Sequence, residues 1–387
     1  MNERAPRVIL LIDTSRAYER GLIRGILKYS RLHGPWTLLR RTPVASGGRP
    51  SVTLAELRNW KADGLIWRES EPKLELEKLR IPTIFAPNTT VSKRFTNILT
   101  NDRAIGRMAA EHLLRLGLHH FAFYGIEPRF HWSVGRREGF KAGIEEAGRT
   151  LRVYESGAAE AKISSQTRQR KLRDWLGSLP RPFGLMLCTD DCCVECFEAC
   201  HAIGLDIPGD AAVIGVGNDE LVCDLVAPPL TSIAWNIEQT GYEAADALAR
   251  LMKDRRRKRV DHVSADPLHV VKRRSTDTVA LPDADVAAAV QFIRDHASRP
   301  IHVDDVVKSV PLSRRVLYRR FKEHMGCSVY QEIRRARTAR AARMLLETNL
   351  SVTEIAHKLG YEDAKNFSRM FRMERKLTPL GYRKKYG

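Results

Sequence analysis

Two groups of side chains, fifty residues apart, carry the most specific chemistry in the sequence. Arg315, Tyr318 and Arg319 share one face of a helix predicted over residues 314–324, and Lys365, Asn366 and Arg369 share one face of a helix predicted over residues 364–375. Guanidinium and carboxamide groups can meet a base edge with two parallel hydrogen bonds, while ammonium and phenol groups suit phosphate oxygens. Each group therefore has the chemistry to read double-stranded DNA, provided the elements around it present it to a groove.

Those elements are legible. A short helix over residues 303–309 and the turn Val310-Pro311-Leu312 precede the first group. Ser313 then stands where its hydroxyl can cap the next helix by accepting a backbone N–H. Val316, Leu317 and Phe321 recur at helical spacing and predict a buried face. The same grammar returns in a helix over residues 352–359 stopped by Gly360, a turn over residues 361–363, and a second reading helix whose Phe367, Met370 and Phe371 face inward. A long helix over residues 329–347, rich in Arg and Ala, connects the two units. Such a connector can hold two reading helices about 34 Å apart, one turn of DNA. A single helix-turn-helix pattern is easily imitated by other helical hairpins, but two in tandem are specific.

Charge agrees with that reading. The 387 residues carry 65 Lys and Arg against 46 Asp and Glu, a formal net charge of +19. Residues 284–387 hold 22 of the bases and 11 of the acids, so over half of the excess lies in the last quarter of the chain. Each cation placed on a phosphate releases a condensed counterion, which makes a polyanion the expected partner. The first apolar run, residues 8–12, stops at Asp13, far short of a signal-peptide core or a membrane span. A cytoplasmic chain with no membrane partner is expected, and its seven cysteines are expected to be thiols.

The first 280 or so residues read differently. Apolar runs at residues 8–12, 64–67, 82–85, 121–125, 184–188 and 213–216 predict strands. Helical patterns over residues 17–32, 102–116, 134–147, 190–203 and 236–253 alternate with them. Alternation of this kind implies parallel sheets covered on both faces by helices, which bind ligands at the carboxyl ends of their strands. The basic run at residues 255–259 reads as a solvated helix end or linker rather than a DNA contact. Between residues 261 and 285 the pattern weakens, and the boundary is placed near residue 283. The expected fold is thus a two-lobed α/β sensor over residues 1–283, with a linker from about residue 255, followed by an all-α domain with two helix-turn-helix units over residues 284–387.

Other chemistries are weaker. Cys192, Cys196 and Cys200 lie four apart, with Cys188 and Cys193 nearby, and read as a small apolar buried face rather than a metal or redox site. Gly215 and Gly217 lack the third glycine of a dinucleotide loop. No local motif supplies a nucleophile–base pair, so no enzyme activity, cofactor or metal is expected.

Denser signatures then support two resemblances. Phe321-Lys322 before Gly326, Arg337 with Ala341 and Leu345-Leu346, Ile355-Ala356 before Gly360-Tyr361, Phe367-Ser368 before Phe371-Arg372, and Thr378-Pro379 before Tyr382-Arg383 resemble the AraC-type DNA-binding domain. The resemblance implies major-groove reading by both helices, usually to activate transcription, with RNA polymerase as a further partner. It matches Arg315, Tyr318 and Arg319 to the first reading helix and Lys365, Asn366 and Arg369 to the second. Pro311 and Val307 depart from the pattern, standing where the family often has Gly and Ala.

The N-terminal part is similar instead to the two-lobed sugar-binding domain of LacI-type repressors and periplasmic binding proteins. The similarity rests on Ala17-Tyr18-Glu19-Arg20 through Gly25-Ile26, Asn101-Asp102 with Gly106, Arg136 before Gly139-Phe140, Thr189-Asp190, and Gly204 through Ile207-Pro208 to Gly215. Such a sensor joined to an AraC-type reader resembles the bacterial xylose operon regulators. Trp132 ahead of Arg136 and residues 273–277, Arg-Arg-Ser-Thr-Asp, add to that likeness. The resemblance implies a sugar effector, D-xylose first, held between the lobes. By position Asp13, Arg136, Asp190 and Asn218 are its polar partners and Trp132 its stacking wall. Relatives usually place an aspartate where this chain has Gly217; either Asn218 or Asp219 substitutes for it, or the ligand differs.

The function expected is a sequence-specific, sugar-controlled transcription regulator, binding an operator as a homodimer. An enzyme tethered to DNA and a DNA-binding protein with a non-sugar or silent sensor are the alternatives. Turnover of a candidate sugar would mark the former; failure of every small molecule to stabilise the sensor would mark the latter.

Overall fold

The computed structural model describes residues 4–40, 53–69, 76–155, 157, 163–254, 261–277, 283–361 and 363–386. The basic run at residues 255–259 and position 362 of the second turn lie outside the described residues. The chain divides into two compact units. The first comprises residues 1–105, 126–138 and 235–267; the second comprises residues 106–125, 139–234 and 268–387.

Each unit is built on a six-stranded sheet. The strands are β1 (Arg7–Leu11), β2 (Thr37–Leu39), β3 (Gly64–Arg68), β4 (Thr83–Ala86), β5 (Thr96–Thr100), β6 (His120–Gly125), β7 (Leu151–Glu155), β8 (Phe183–Leu187), β9 (Ala211–Val216), β10 (Thr231–Trp235), β11 (Val263–Ala265) and β12 (Pro267–Val271). Their orders are β11-β5-β4-β3-β1-β2 and β12-β10-β9-β8-β6-β7. β1, β3 and β4 pair in parallel, as do β6, β8 and β9. Central parallel strands are buried on both faces, which is why Val8, Ile9, Leu65 and Ile66, and in the other sheet Phe123, Leu185 and Val213, occur as continuous apolar runs with no exposure.

The strands read from the sequence are all present. Four of those missed, β2, β5, β7 and β10, are short or polar; β5 and β10 bury Thr96, Asn97, Thr231 and Ser232 completely. The weak pattern after residue 261 also proves to hold strands, β11 and β12, where the sequence suggested only linker. Both are sheet-edge strands of three and five residues, too short to show a period.

The helices of the α/β part are α1 (Ala17–Leu32), α2 (Leu54–Asn59), α3 (Asp102–Leu114), α4 (His131–Glu146), α5 (Ser165–Gly177), α6 (Cys193–Ala202), α7 (Glu220–Asp224) and α8 (Ile237–Lys253). The helix expected from residue 190 is split, because Asp190–Cys192 forms a 3-10 turn before α6. α1 and α8 pack backbone against backbone. A Cβ on Gly25 would fall 1.9 Å from the Glu238 carbonyl oxygen, and one on Gly241 would fall 2.2 Å from that of Leu22, so only glycine allows the approach. Leu22, Ile26, Leu248 and Leu251 close the core around it.

From α9 (Ala284–Asp295) onward the described chain is helical: α10 (Val303–Lys308), α11 (Arg314–Met325), α12 (Val329–Glu347), α13 (Val352–Lys358), α14 (Ala364–Arg375) and α15 (Pro379–Tyr386). Two small cores form there. Leu317 and Phe321 pack with Val290, Ile293 and Val306; Phe367 and Phe371 pack with Leu345, Ile355 and Tyr382. Val316 and Met370, expected inside, are only half-buried. Gly360 ends α13 at φ +72°, and a Cβ there would also meet Pro300 at 2.1 Å.

Candidate effector site and nucleic-acid interface

In the first unit, the loops and helices that follow the strands bring polar and aromatic groups together. Arg68 ends β3, Asn88 follows β4, Asp102 opens α3 after β5, and Trp235 ends β10. Trp132 and Arg136 stand one helical turn apart on α4, so they project from the same face. The Arg136 side chain is 4% exposed, and its Nε donates to Asp102 Oδ1 at 3.0 Å. Its guanidinium carbon lies 4.8 Å from the centre of the Trp132 ring and 5.0 Å from that of Trp235. A cation between two indole faces is favoured by their quadrupoles once water is excluded.

Asp102 is itself deeply placed. Burial raises the pKa of its carboxyl, against which the Arg136 charge and a 2.6 Å hydrogen bond donated by the Thr100 hydroxyl work. Gly135 permits the pairing, since a Cβ there would sit 2.8 Å from Asp102 Cβ. Asn88 joins the aromatic and basic groups: its Oδ1 accepts from Trp132 Nε1 at 3.0 Å and from the Arg68 guanidinium at 3.0 Å. Arg68 lies 4.9 Å over the Tyr18 ring and 3.6 Å from Glu19 Oε1. Glu19 Oε2 and His131 Nδ1 are buried with no hydrogen-bond partner. Such atoms are costly unless something else supplies the missing partner.

The candidate Asp13 is exposed at the carboxyl end of β1, where Oδ1 accepts the Thr14 amide at 2.6 Å and Oδ2 the Ser15 hydroxyl at 3.1 Å. The Thr14 hydrogen bond is the largest influence on its carboxyl and lowers its pKa.

In the second unit Asp190 and Asn218 are joined through Ser232. The Ser232 hydroxyl donates to Asp190 Oδ1 at 2.7 Å and accepts the Asn218 amide at 3.0 Å, while the Asp219 amide donates to Asp190 Oδ2 at 3.0 Å. Asp190 thus holds the turn after β9 from beneath. The residue is 2% exposed, and burial pushes its carboxyl up to about 6. Gly217 has a local reason as well: its φ is +131°, and a Cβ would lie 3.1 Å from Asp190 Oδ2. Asn218 follows at φ +49° with its Oδ1 buried and unpartnered.

All seven cysteines are buried thiols, and burial is the main cause that pushes Cys193 up to about 12. Among the described residues no group of three or more His, Cys, Asp or Glu side chains is placed to hold a metal. No helix there is long and apolar enough to cross a membrane.

In the helical region, α11 and α14 present the expected side chains outward. Arg315, Tyr318, Arg319, Lys365, Asn366 and Arg369 are all exposed, and Asn366 Oδ1 accepts from Arg369 at 3.4 Å. Ser313 caps α11 through the Val316 amide, as expected, and Asp363 caps α14 through the Lys365 amide at 2.8 Å. Two of the signature residues have another task. Arg337 lies 4.1 Å over the Tyr361 ring and donates to the Leu359 carbonyl, while Arg383 donates to the Leu345 carbonyl at 2.9 Å. Both satisfy carbonyls at the ends of helices, Arg337 at the end of α13 and Arg383 in the last turn of α12.

Comparison with known proteins agrees with both halves. A model described as a periplasmic binding protein-like domain matches residues 110–276, and one described as a helix-turn-helix domain matches residues 306–385. The xylose operon regulatory protein of Haemophilus influenzae is 30% identical, over 99% of this chain and 99% of its own. That of Escherichia coli K12 is 29% identical, over 97% of this chain and 96% of its own. A solved structure described as that of the xylose-binding transcription activator xylR matches with a TM-score of 0.62 and 28% identity, covering 99% of each chain.

Asp190 gives a pH test. Its folded pKa of about 6 exceeds the ordinary 3.8, so the folded state binds more protons between those values and its stability falls as pH rises through that window. In chemical unfolding, Asp190→Asn is expected to remove a slope on the order of 1–3 kcal/mol across that window. An unchanged slope would show that Asp190 is not the buried group responsible.

Proposed function

This chain belongs to the family of xylose operon regulatory proteins, and we propose that it is a sugar-responsive activator of transcription with D-xylose as its effector. The single observation that carries the sugar reading is the cluster of the first unit. Its Tyr18, Trp132 and Trp235 rings offer apolar faces, its Arg136, Arg68 and Asn88 offer directional donors and acceptors, and Glu19 Oε2 is a buried acceptor without a partner. A pyranose has the matching surface, an apolar ring face rimmed by hydroxyls. In this reading Trp132 and Arg136 bind the sugar directly, and Asp13 supplies a further acceptor. Asp190 acts by holding the Asn218 turn.

The reader is assigned to residues 284–387 and the sensor to residues 1–283. α11 and α14 enter successive major grooves, with α12 as the spacer between them. Two copies of the chain bind paired half-sites in the cytoplasm, and the activated complex engages RNA polymerase. Sugar controls DNA binding only through a difference in affinity between conformational states, typically ~1–3 kcal/mol. The cluster contains no nucleophile paired with a base, and this favours binding over turnover.

Thermal unfolding of the full-length protein against a panel of pentoses and hexoses tests the sensor. D-xylose is expected to raise the melting temperature saturably, by mass action worth about 2.7 kcal/mol at a hundredfold excess over Kd. Trp235→Ala is expected to weaken that response roughly tenfold by removing one face of the Arg136 stack. A response to another sugar alone would reject xylose; no response to any sugar would reject the cluster as a sugar site.

On DNA, Lys365→Ala is expected to reduce the slope of log affinity against log salt by about one, whatever the sequence. Asn366→Ala is expected to narrow the gap between a selected operator and scrambled DNA by about 1–3 kcal/mol, because a carboxamide reads adenine bidentately. Equal losses on both DNAs would instead make Asn366 a backbone contact.

A further inference from the structure

Within the second unit lies a cavity of about 470 Å³ that the sugar reading does not use. Its described lining holds seven Lys and Arg residues against four Asp and Glu. The cations come from separate elements: Arg115 just beyond α3, Lys272 after β12, Arg294 on α9, Arg335 and Arg343 on α12, and Arg375 on α14. Glu111 pairs within the lining with Arg115 at 3.3 Å, and Glu374 is committed to Arg334, outside it, at 2.5 Å. Arg294 reaches across to donate to the Arg115 backbone carbonyl at 2.9 Å.

The effect of this convergence is visible on two histidines in the wall. His112 is pushed down to about 3 by burial and then by the charges of Arg294, Arg115, Lys272 and Arg343. His269 is pushed down to about 4 by burial and then by Arg343 and Arg375. Like charges gathered around a cavity repel one another, and a bound dianion offsets that repulsion. Guanidinium forks match the oxygens of a phosphate, and the volume falls in the range of small-molecule sites. A DNA duplex is far too thick to enter a space of this size.

We propose that this cavity is a binding site for a small organic phosphate, of sugar-phosphate to mononucleotide size. Its walls join α3 and the end of β12, on the sensor side, to α12 and α14, on the reading side. A phosphate held there ties the posture of the second reading helix to the sensor, in addition to any effect of sugar. The site stands independently of the sugar assignment.

The test is calorimetric titration of the full-length protein with ribose 5-phosphate, AMP and inorganic phosphate at constant ionic strength. One of the two organic phosphates is expected to bind saturably, about tenfold or more tighter than inorganic phosphate, because only it fills the cavity. The double substitution Arg335→Gln, Arg375→Gln is expected to weaken it about tenfold or more, with the thermal response to D-xylose unchanged. Unsaturable heats, an affinity no greater than that of inorganic phosphate, or undiminished binding by the double variant would each overturn the proposal. Should that variant fail to fold, Arg335→Lys keeps the charge and removes the fork, and unchanged affinity there would overturn it equally.

Discussion

A guanidinium withdrawn from water must be matched by charge and hydrogen bonds, and the Arg136–Asp102 pair is the constraint around which the first unit is arranged. Removing one partner of such a pair typically costs about 3–5 kcal/mol, since the other is left buried and unmatched. Asp102 has to stand at the end of β5, Thr100 has to brace it, and position 135 has to be glycine for α4 to come close enough. Trp132 and Trp235 then close over the charge from two sides. The pair therefore serves as a fixed polar floor for aromatic walls. Polar and aromatic surfaces side by side are what a sugar requires.

The second unit solves a related problem with one carboxylate. Asp190 is buried, yet instead of meeting a cation it collects a hydroxyl and an amide from the β10 and β9 ends. Those bonds set the turn at Gly217 and Asn218, whose positive φ values leave the Asn218 side chain turned inward. The glycine that breaks the family pattern is thus explained by space: Asp190 occupies the volume a side chain would need.

Much of this was legible in the sequence, for physical reasons that also explain the rest. Central strands such as β3 and β8 are apolar on both faces and announce themselves; β11 and β12 are brief edges and do not. The reading faces of α11 and α14 follow from helical period alone, because the residues opposite them are Leu317, Phe321, Phe367 and Phe371. Trp132 and Arg136 come together in the sequence only through resemblance. Their partners Asp102, Asn88, Arg68 and Trp235 come from four strand ends far apart in the chain, and no local pattern links them. The available signal was position, since each ends or follows a strand of a parallel sheet. The bonds of Asp190 to Ser232 and Asp219 are likewise not legible, because sequence spacing does not reveal where a carboxylate spends its acceptors.

Sugar binding and DNA reading are coupled in one protein. The most direct measurement is the affinity of the full-length protein for its selected operator with and without D-xylose, alongside its affinity for D-xylose with and without operator. Linkage requires the two ratios to be equal, and a common factor of about 5–150 in favour of the doubly bound complex is expected. A factor of one in both directions, with each ligand binding on its own, would contradict the coupling.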